Sequence, residues 1–290
     1  MRAATSSLLK PVLRHAARAY VTGSQLGNAV DLARSLADRG FAGTIGFWDS
    51  PRMTEDRVAR EYRAVADSIA ELTIDCTVSI KPPSIGFGGD VVAELLAQGG
   101  NRTRVHFDSL SWEQAESSFR LLYRHSGAAD RLGCTLPSRW RRSLQDAAAI
   151  RDRGYPVRIV KGQWAAPAAF EQEPSAGMLE LARRFAGYGR TVAIASHDAA
   201  AAQSALSELK RSGTPAELQL LYGMPWRRPL QVARETGVPV RFYLPYGHAW
   251  LPYALRQAMR KPRIVYWMLR DAFATRGVPD SMKSSGGSPV

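Results

Sequence analysis

Basic and amide side chains stand at the ends of several short apolar segments of this chain. Lys81, Arg158 and Gln219 each lie within or directly after a segment rich in β-branched residues, and Asp108 follows another. Lysine and arginine bind carboxylates and phosphates through charge-assisted hydrogen bonds, and a nearby carboxylate can orient them. The four residue types therefore predict a cationic site for a small anionic or phosphate-bearing ligand.

Eight short segments predict the strands that must position these side chains. They are Thr44–Phe47, Cys76–Ile80, Arg104–Phe107, Gly133–Leu136, Val157–Val160, Thr191–Ala195, Glu217–Leu221 and Val240–Leu244. Their spacing fits one strand–helix unit each, which favours parallel pairing with right-handed crossovers.

The segments between the strands have helical periodicity. Helices are predicted over Asp56–Leu72, Ser111–His125, Met178–Gly187 and Ala199–Arg211. In the first, Val58, Tyr62, Val65 and Ile69 share one face, and the second opens with a capping-box pattern, Ser111 and Gln114.

Eight such units predict an α/β fold, a single (βα)8 TIM-like barrel, with its active site at the carboxyl ends of the strands. The alternative is an open doubly wound sheet, which needs a G-x-G-x-x-G loop after the first strand. The residues there, 44–51, read T-I-G-F-W-D-S-P and do not form that loop.

Composition limits the class of protein further. The 290 residues include 39 Lys and Arg against 26 Asp and Glu, a formal charge of +13, which favours polyanionic partners. The two cysteines, Cys76 and Cys134, are too few for a disulfide framework and favour a reduced, cytoplasmic setting. No apolar run is long enough to span a membrane, and no zinc pattern or other metal site is recognised. We expect a basic helical extension over 1–19, a barrel domain over 20–275 and a disordered tail over 276–290.

Four blocks in order carry a resemblance to a known family. They are Arg158–Trp164, Ile194–Asp198, Glu217–Met224 and Val240–Gly247, the last followed by Trp250, Pro252, Tyr253 and Arg256. At these residues the chain resembles the proline dehydrogenases of the monofunctional bacterial type, flavoenzymes with a distorted (βα)8 barrel. The resemblance implies an oxidoreductase that converts L-proline to pyrroline-5-carboxylate by hydride transfer to N5 of FAD and passes the electrons to a quinone. It also implies a helix after strand eight near the barrel mouth.

The resemblance also implies a role for individual residues. Those acting in catalysis would be Arg158, Asp108 and Lys81. Those holding FAD would be Arg158, Lys161, Gly162, Gln163, Ser196, His197 and Gln219. Those binding the substrate would be Lys81, Arg256, Gln257, Tyr243, Tyr253, Leu221 and Trp164. His197 has a second interpretation, because the following Asp198 could simply cap a helix.

The chain departs from the family mainly in the substrate site. Gln257 stands where the family has a second carboxylate-binding arginine, and Arg260 stands where it has a glutamate. Ser50 replaces another family glutamate, unless Asp49 substitutes for it, and Pro137 replaces a flavin-contacting glutamine. We therefore expect either L-proline or a related cyclic amino acid as the substrate.

Other interpretations remain open at this stage. The protein could be a divergent flavoprotein with a different amine substrate or weak activity. Two basic clusters contain tryptophan, Arg139–Arg142 and Trp226–Arg228, and could instead bind an anionic surface or nucleic acid. No nucleic-acid-binding motif is present, so nucleic acid is not an expected partner. The same basic surface could instead dock this protein as a peripheral protein on acidic lipid at the inner membrane face. Finally, Lys161 or Lys81 could form a Schiff base in a lyase.

Overall fold

Eight parallel strands pair side by side and close into a barrel. The computed structural model describes residues 24–50, 52–109 and 111–247. The strands are β1 Ala42–Phe47, β2 Cys76–Ile80, β3 Val105–Phe107, β4 Leu132–Pro137, β5 Val157–Val160, β6 Val192–Ala195, β7 Ala216–Leu221 and β8 Val240–Tyr246. All eight predicted strands are confirmed, with no boundary more than two residues away from its predicted place. The barrel closes where β8 pairs with β1, from Ala42 opposite Arg241 to Phe47 opposite Tyr246.

Helices cover the outside of the barrel. They are α1 Leu26–Ala37, α2 Glu55–Ala70, α3 Gly89–Asn101, α4 Ala115–Arg124, α5 Ser143–Arg153, α6 Pro174–Arg184, α7 Ala199–Arg211 and α8 Arg227–Thr236. The predicted apolar face of α2 is buried along its whole length. Helix α1, which precedes the first strand, packs against β1 and β8. It therefore covers the seam at which the barrel closes.

The start of α4 differs from its prediction. The helix begins at Ala115, whereas Trp112–Gln114 form a separate 3-10 turn. The Ser111 hydroxyl donates to the Gln114 side chain at 3.3 Å, and neither side chain caps a backbone N–H of the helix. The capping-box prediction at this place is wrong because the two side chains bond each other.

Two carboxylates cap the helices that follow β5 and β6. Asp198 accepts two backbone N–H groups at the start of α7, which runs over the predicted residues Ala199–Arg211. Glu173 accepts two backbone N–H groups at the start of α6, directly before Pro174. The prediction for α6, Met178–Gly187, therefore began one turn late, since a Glu–Pro pair also starts a helix.

Several predicted segments lie outside the described residues: the extension 1–19, the helix after strand eight and the tail 276–290. Within the part of the chain that the structure describes, no helix has the length and apolar character needed to cross a membrane. Cys76 and Cys134 are both buried as free thiols in strands.

The barrel interior is unusually polar. Alternate residues of each strand face the lumen, where bulky aliphatic side chains normally pack in layers. Here the buried polar residues on the strands include Thr44, Ser79, His106, Thr135, Arg158, Glu217, Gln219 and Arg241. These side chains make the interior of the barrel the place where the chemistry of the chain is concentrated.

Candidate active site

Asp108 organises the carboxyl end of the barrel. The residue follows β3, and its Oδ1 accepts hydrogen bonds from Ser79 Oγ at 2.8 Å and from Arg158 Nη1 at 2.6 Å. Its Oδ2 accepts the hydroxyl of Tyr243 at 2.8 Å. The three donors come from β2, β5 and β8, so the carboxylate joins opposite sides of the barrel.

Arg158 is held from two sides. Its Nε donates to Gln219 Oε1 at 2.6 Å, and its guanidinium lies 5.4 Å from the centre of the Tyr243 ring. The side chain is only 6% exposed, a position in which an arginine charge must be paired. No partner for Nη2 is found among the described residues, so that amino group remains for a ligand.

Tyr243 acts as a hydrogen-bond donor to Asp108 within this cluster. Burial, and then the charge on Asp108, raises the pKa of its phenol well above the usual range, so the hydroxyl stays protonated. The hydroxyl also accepts a hydrogen bond from Trp48 Nε1 at 3.3 Å. Gly46 makes this arrangement possible, because a Cβ at that position would overlap the Tyr243 hydroxyl.

A chain of hydrogen bonds continues from Arg158 towards the opposite end of the barrel. Gln219 Nε2 donates to Glu217 at 2.6 Å, and Glu217 accepts Arg241 Nε at 3.0 and 3.1 Å. Arg241 Nη2 then donates to both oxygens of Asp75 at 3.0 and 2.9 Å. Burial opposes the charge on Arg241, but Glu217 and Asp75 outweigh it and raise its pKa. The orientation of Gln219 is therefore set from both sides.

His106 lies inside the same lumen and is neutral. Its Nε2 is 2.9 Å from the hydroxyl of Thr135. Burial, followed by the charges of Arg158 and Arg241, lowers its pKa well below the usual value. A neutral imidazole avoids adding a third positive charge between the two arginines.

Lys81 is paired at the rim of the barrel. Its Nζ donates to Asp49 Oδ1 at 2.6 Å and to the carbonyl of Phe47 at 3.1 Å. Asp49 Oδ2 in turn accepts the hydroxyl of Ser84 at 2.9 Å. The Lys81 ammonium is thus fixed beside the ends of β1 and β2, with one of its three N–H groups left over.

Sequence reasoning missed part of this network. Glu217, Arg241 and His106 did not stand out, although each lies two residues before a side chain that did: Gln219, Tyr243 and Asp108. Residues two apart on a strand face the same side. The two-residue spacing could therefore have indicated that these three side chains also face the lumen.

The fold and this geometry can be compared with known proteins. No family model matches the chain. Proline dehydrogenase 1 of Bacillus subtilis strain 168 is 25% identical over 277 residues, covering 89% of this chain and 90% of that protein. Proline dehydrogenase of Deinococcus radiodurans is 28% identical over 292 residues, covering 90% of this chain and 91% of that protein. This chain is therefore similar to the proline dehydrogenases over about nine-tenths of its length.

Solved structures agree on the fold. Proline utilization A from Bdellovibrio bacteriovorus superposes with a TM-score of 0.70 over 94% of this chain, at 15% identity. The protein of that name from Corynebacterium freiburgense gives 0.67 over 98%, at 16% identity. The chain spans about a third of those longer proteins, 34% and 36% respectively. The prediction of a TIM-like barrel resembling the proline dehydrogenases is confirmed.

The residues predicted by the proline dehydrogenase resemblance to hold a cofactor fall in two groups. Lys161, Gly162 and Gln163 lie in the loop after β5, which ends at Val160, and both long side chains are exposed. Gly162 has φ +94°, and a Cβ there would lie 2.9 Å from the Pro137 side chain. Only glycine fits this turn comfortably.

Ser196 and His197 form the second group, after β6. His197 Nδ1 lies 2.8 Å from the carbonyl of Pro225, and its Nε2 accepts the N–H of Leu221 at 3.0 Å. Both ring nitrogens are therefore used within the protein, and burial lowers the pKa of the imidazole to about 4. Asp198 is a helix cap, as the second interpretation of this segment expected. Contact of His197 with a cofactor stays a prediction, and it would have to use the carbon atoms of the ring.

The residues predicted to bind substrate are only partly described. Tyr243 is buried and bonded to Asp108, whereas Trp164 is 47% exposed and Leu221 is intermediate. Arg256, Gln257, Tyr253 and Arg260 lie outside the described residues. At Ser50, where the resemblance implies that a family glutamate is missing, the hydroxyl accepts a backbone N–H from Arg52 and makes no other hydrogen bond with a described residue. The neighbouring Asp49 supplies a carboxylate instead, through its ion pair with Lys81.

Proposed function

We propose that this protein oxidises L-proline, or a related cyclic amino acid, to pyrroline-5-carboxylate or its analogue, with FAD as cofactor. The observation that carries the proposal is the buried Arg158, clamped by Asp108 and Gln219 at the carboxyl end of the barrel. Relatives named proline dehydrogenase match about nine-tenths of the chain, which supports the same assignment.

The residues at the carboxyl end of the barrel fit flavin adenine dinucleotide, FAD. Arg158 keeps one amino group without a partner among the described residues, and the exposed Lys161 supplies a positive charge suited to a phosphate. The left-handed Gly162 lets a ligand approach the backbone closely. Ser196 adds a hydroxyl at the end of β6. When bound, FAD would supply the oxidising capacity, accepting a hydride from the ring carbon next to the substrate nitrogen.

The protein's own residues would bind the substrate, orient it and stabilise the charge that develops during the reaction. Arg158 would place a fixed positive charge where negative charge develops during the reaction, and such preorganised stabilisation is usually the largest single contribution to catalysis. Asp108 and Gln219 would hold the guanidinium in that position. The remaining N–H of Lys81 would donate to the substrate carboxylate, with Arg256 as the second predicted cation. We propose that a quinone accepts the electrons, and that the basic surface brings the protein to acidic lipid at the cytoplasmic face of the membrane.

The structure weakens two of the other interpretations. Trp140 is 2% exposed and Trp226 is 5% exposed, so neither offers a face on which a nucleobase could stack. A Schiff-base lysine needs an apolar pocket. Lys161 is instead exposed, and Lys81 is ion-paired with Asp49.

The visible spectrum of the purified protein tests the proposal. We expect a flavin spectrum, either as purified or after adding FAD, that bleaches when L-proline is added without oxygen. A flavin that bleaches only with other cyclic amino acids would move the assignment to those substrates. A flavin that none of them reduces would restrict it to a flavoprotein with another amine substrate. Failure to bind flavin at all would overturn the proposal.

A further inference from the structure

A cavity opens at the end of the barrel opposite the candidate active site. Its volume is about 700 Å³, within the range of ligand-binding pockets. Its rim consists of residues that directly precede strands, such as Asp75, Arg104, Arg131 and Pro239. Its wall rises inside the lumen as far as Arg158. Because amino ends of the strands form the rim, this entrance is separate from the face that carries Lys81 and Asp49.

The cavity has an excess of positive charge. Its charged lining residues are Arg104, Arg131, Arg158, Arg190, Lys210 and Arg241, against Asp75, Asp130 and Glu217. Asp75 and Glu217 both form ion pairs with Arg241, and Asp75 forms a second ion pair with Arg104.

Three of these cations are not balanced by a carboxylate within hydrogen-bonding distance. Arg131 donates to the backbone carbonyls of Leu96 and Thr103, which are uncharged acceptors. Arg190 and Lys210 are exposed at the rim, and neither side chain has a hydrogen bond or ion pair with another described residue. Asp130 is the one remaining acid, so the rim attracts anions.

An unpaired hydroxyl lies deeper in the same cavity. Thr44 is 1% exposed, and its Oγ1 has no hydrogen-bond partner among the described residues. Buried hydroxyls in proteins are nearly always bonded to protein or to an ordered molecule. This oxygen therefore points to a polar occupant of the lumen, independently of the charges at the rim.

We propose that this cavity binds a small phosphate-bearing molecule that lacks an aromatic base. Phosphate oxygens match both the cations of the rim and the free hydroxyl of Thr44. No Phe, Tyr or Trp is among the described residues that line the cavity, so a nucleobase would have nothing on which to stack. The proposal does not depend on the assignment of the active site.

Calorimetric titration with inorganic phosphate and with pyrophosphate, at constant ionic strength, tests the site. The titration is carried out with and without excess FAD, so that any phosphate binding at the proposed cofactor site is recognised by its loss when FAD is present. We expect saturable binding, weakened about 5- to 10-fold by Arg190→Ala or Lys210→Ala and about 30-fold or more by both. Thr44→Val, which removes only the buried hydroxyl, should weaken binding about 3-fold or more.

Arg183→Ala is the matched control, because Arg183 is an exposed arginine of α6 outside the cavity. It changes the net charge by the same amount and should leave phosphate affinity unchanged. Thermal unfolding curves show whether each variant is folded. Absence of saturable binding, or an equal loss in the Arg183 variant and the rim variants, would overturn the proposal. Unchanged affinity in Thr44→Val would contradict a site that extends into the lumen.

Discussion

Arg158 Nη1 lies 2.6 Å from Asp108 Oδ1, and both side chains are largely withdrawn from solvent, at 6% and 16% exposure. The two residues are 50 positions apart and are brought together because β3 and β5 both pair with β4 in the same sheet. A buried ion pair of this kind is costly to break, since the remaining partner keeps its charge without compensation.

Asp108→Asn should therefore destabilise the fold while preserving its shape. We expect the free energy of unfolding to fall by about 3 kcal/mol, because Arg158 would lose its only carboxylate partner among the described residues. Urea denaturation measures the change. Glu180→Gln, which removes a carboxylate from an exposed pairing with Arg184, should change stability by less than about 0.5 kcal/mol. Equal effects in both variants would contradict the importance of the buried pair.

Gln219→Leu should slow the proposed reaction without weakening substrate binding. The substitution removes the acceptor of Arg158 Nε, so the guanidinium loses one of its two fixing bonds. A lost hydrogen bond to a charged group is worth about 1.5 to 3 kcal/mol, or about 10- to 150-fold in rate. Anaerobic bleaching of the flavin by proline gives the rate and its dependence on substrate concentration.

The control for that experiment is Gln203→Leu, on the exposed face of α7. It should leave both the rate and the half-saturating proline concentration unchanged. A Gln219→Leu enzyme that reduces its flavin at the normal rate would show that Arg158 does not need this support.

Asp49→Asn should tighten the binding of an anionic substrate. Asp49 neutralises Lys81 through a 2.6 Å ion pair, whereas asparagine could accept the same hydrogen bond without the negative charge. The ammonium would then attract a substrate carboxylate more strongly, by about 1 kcal/mol, or about 5-fold in affinity. Titration of the flavin spectrum with a cyclic carboxylate that cannot be oxidised measures this affinity. Weaker binding would mean that Asp49 serves mainly to position Lys81.

The stability of the protein should fall on acidification in a way that depends on His197. Burial holds the pKa of this imidazole at about 4, compared with 6.5 for an ordinary histidine. The neutral imidazole contributes to the free energy of unfolding above pH 6.5. This contribution is lost as the pH falls towards 4, because the unfolded chain takes up a proton that the folded chain does not. We expect a loss of about 2 kcal/mol, less than the full shift implies, since the ring is not wholly buried.

Comparison with His197→Asn isolates this contribution. The difference in unfolding free energy between the two proteins should shrink between pH 7 and pH 4, while the effect of the buried His106 is common to both. A constant difference over that range would show that His197 titrates normally in the folded protein.

The sequence by itself determined the barrel, and it predicted which end of the barrel carries the candidate site. Alternating strands and amphipathic helices are local patterns, so β2, β5 and the buried face of α2 follow from residues close together in the chain. Strand ends of a parallel barrel share one face, which is why Asp108, Arg158 and Gln219 could be predicted to meet before their contacts were known.

Only the tertiary structure decided how these side chains pair. Trp48 and Tyr243 are 195 residues apart, yet they share a hydrogen bond across the closed seam between β1 and β8. In the sequence, nothing distinguishes Glu217 and Arg241 from other residues of their strands. In the closed barrel both side chains are buried in the lumen, where each needs an opposite charge. The strength of such pairs depends on distance and burial, and both quantities are set by the closed barrel, which local sequence does not encode.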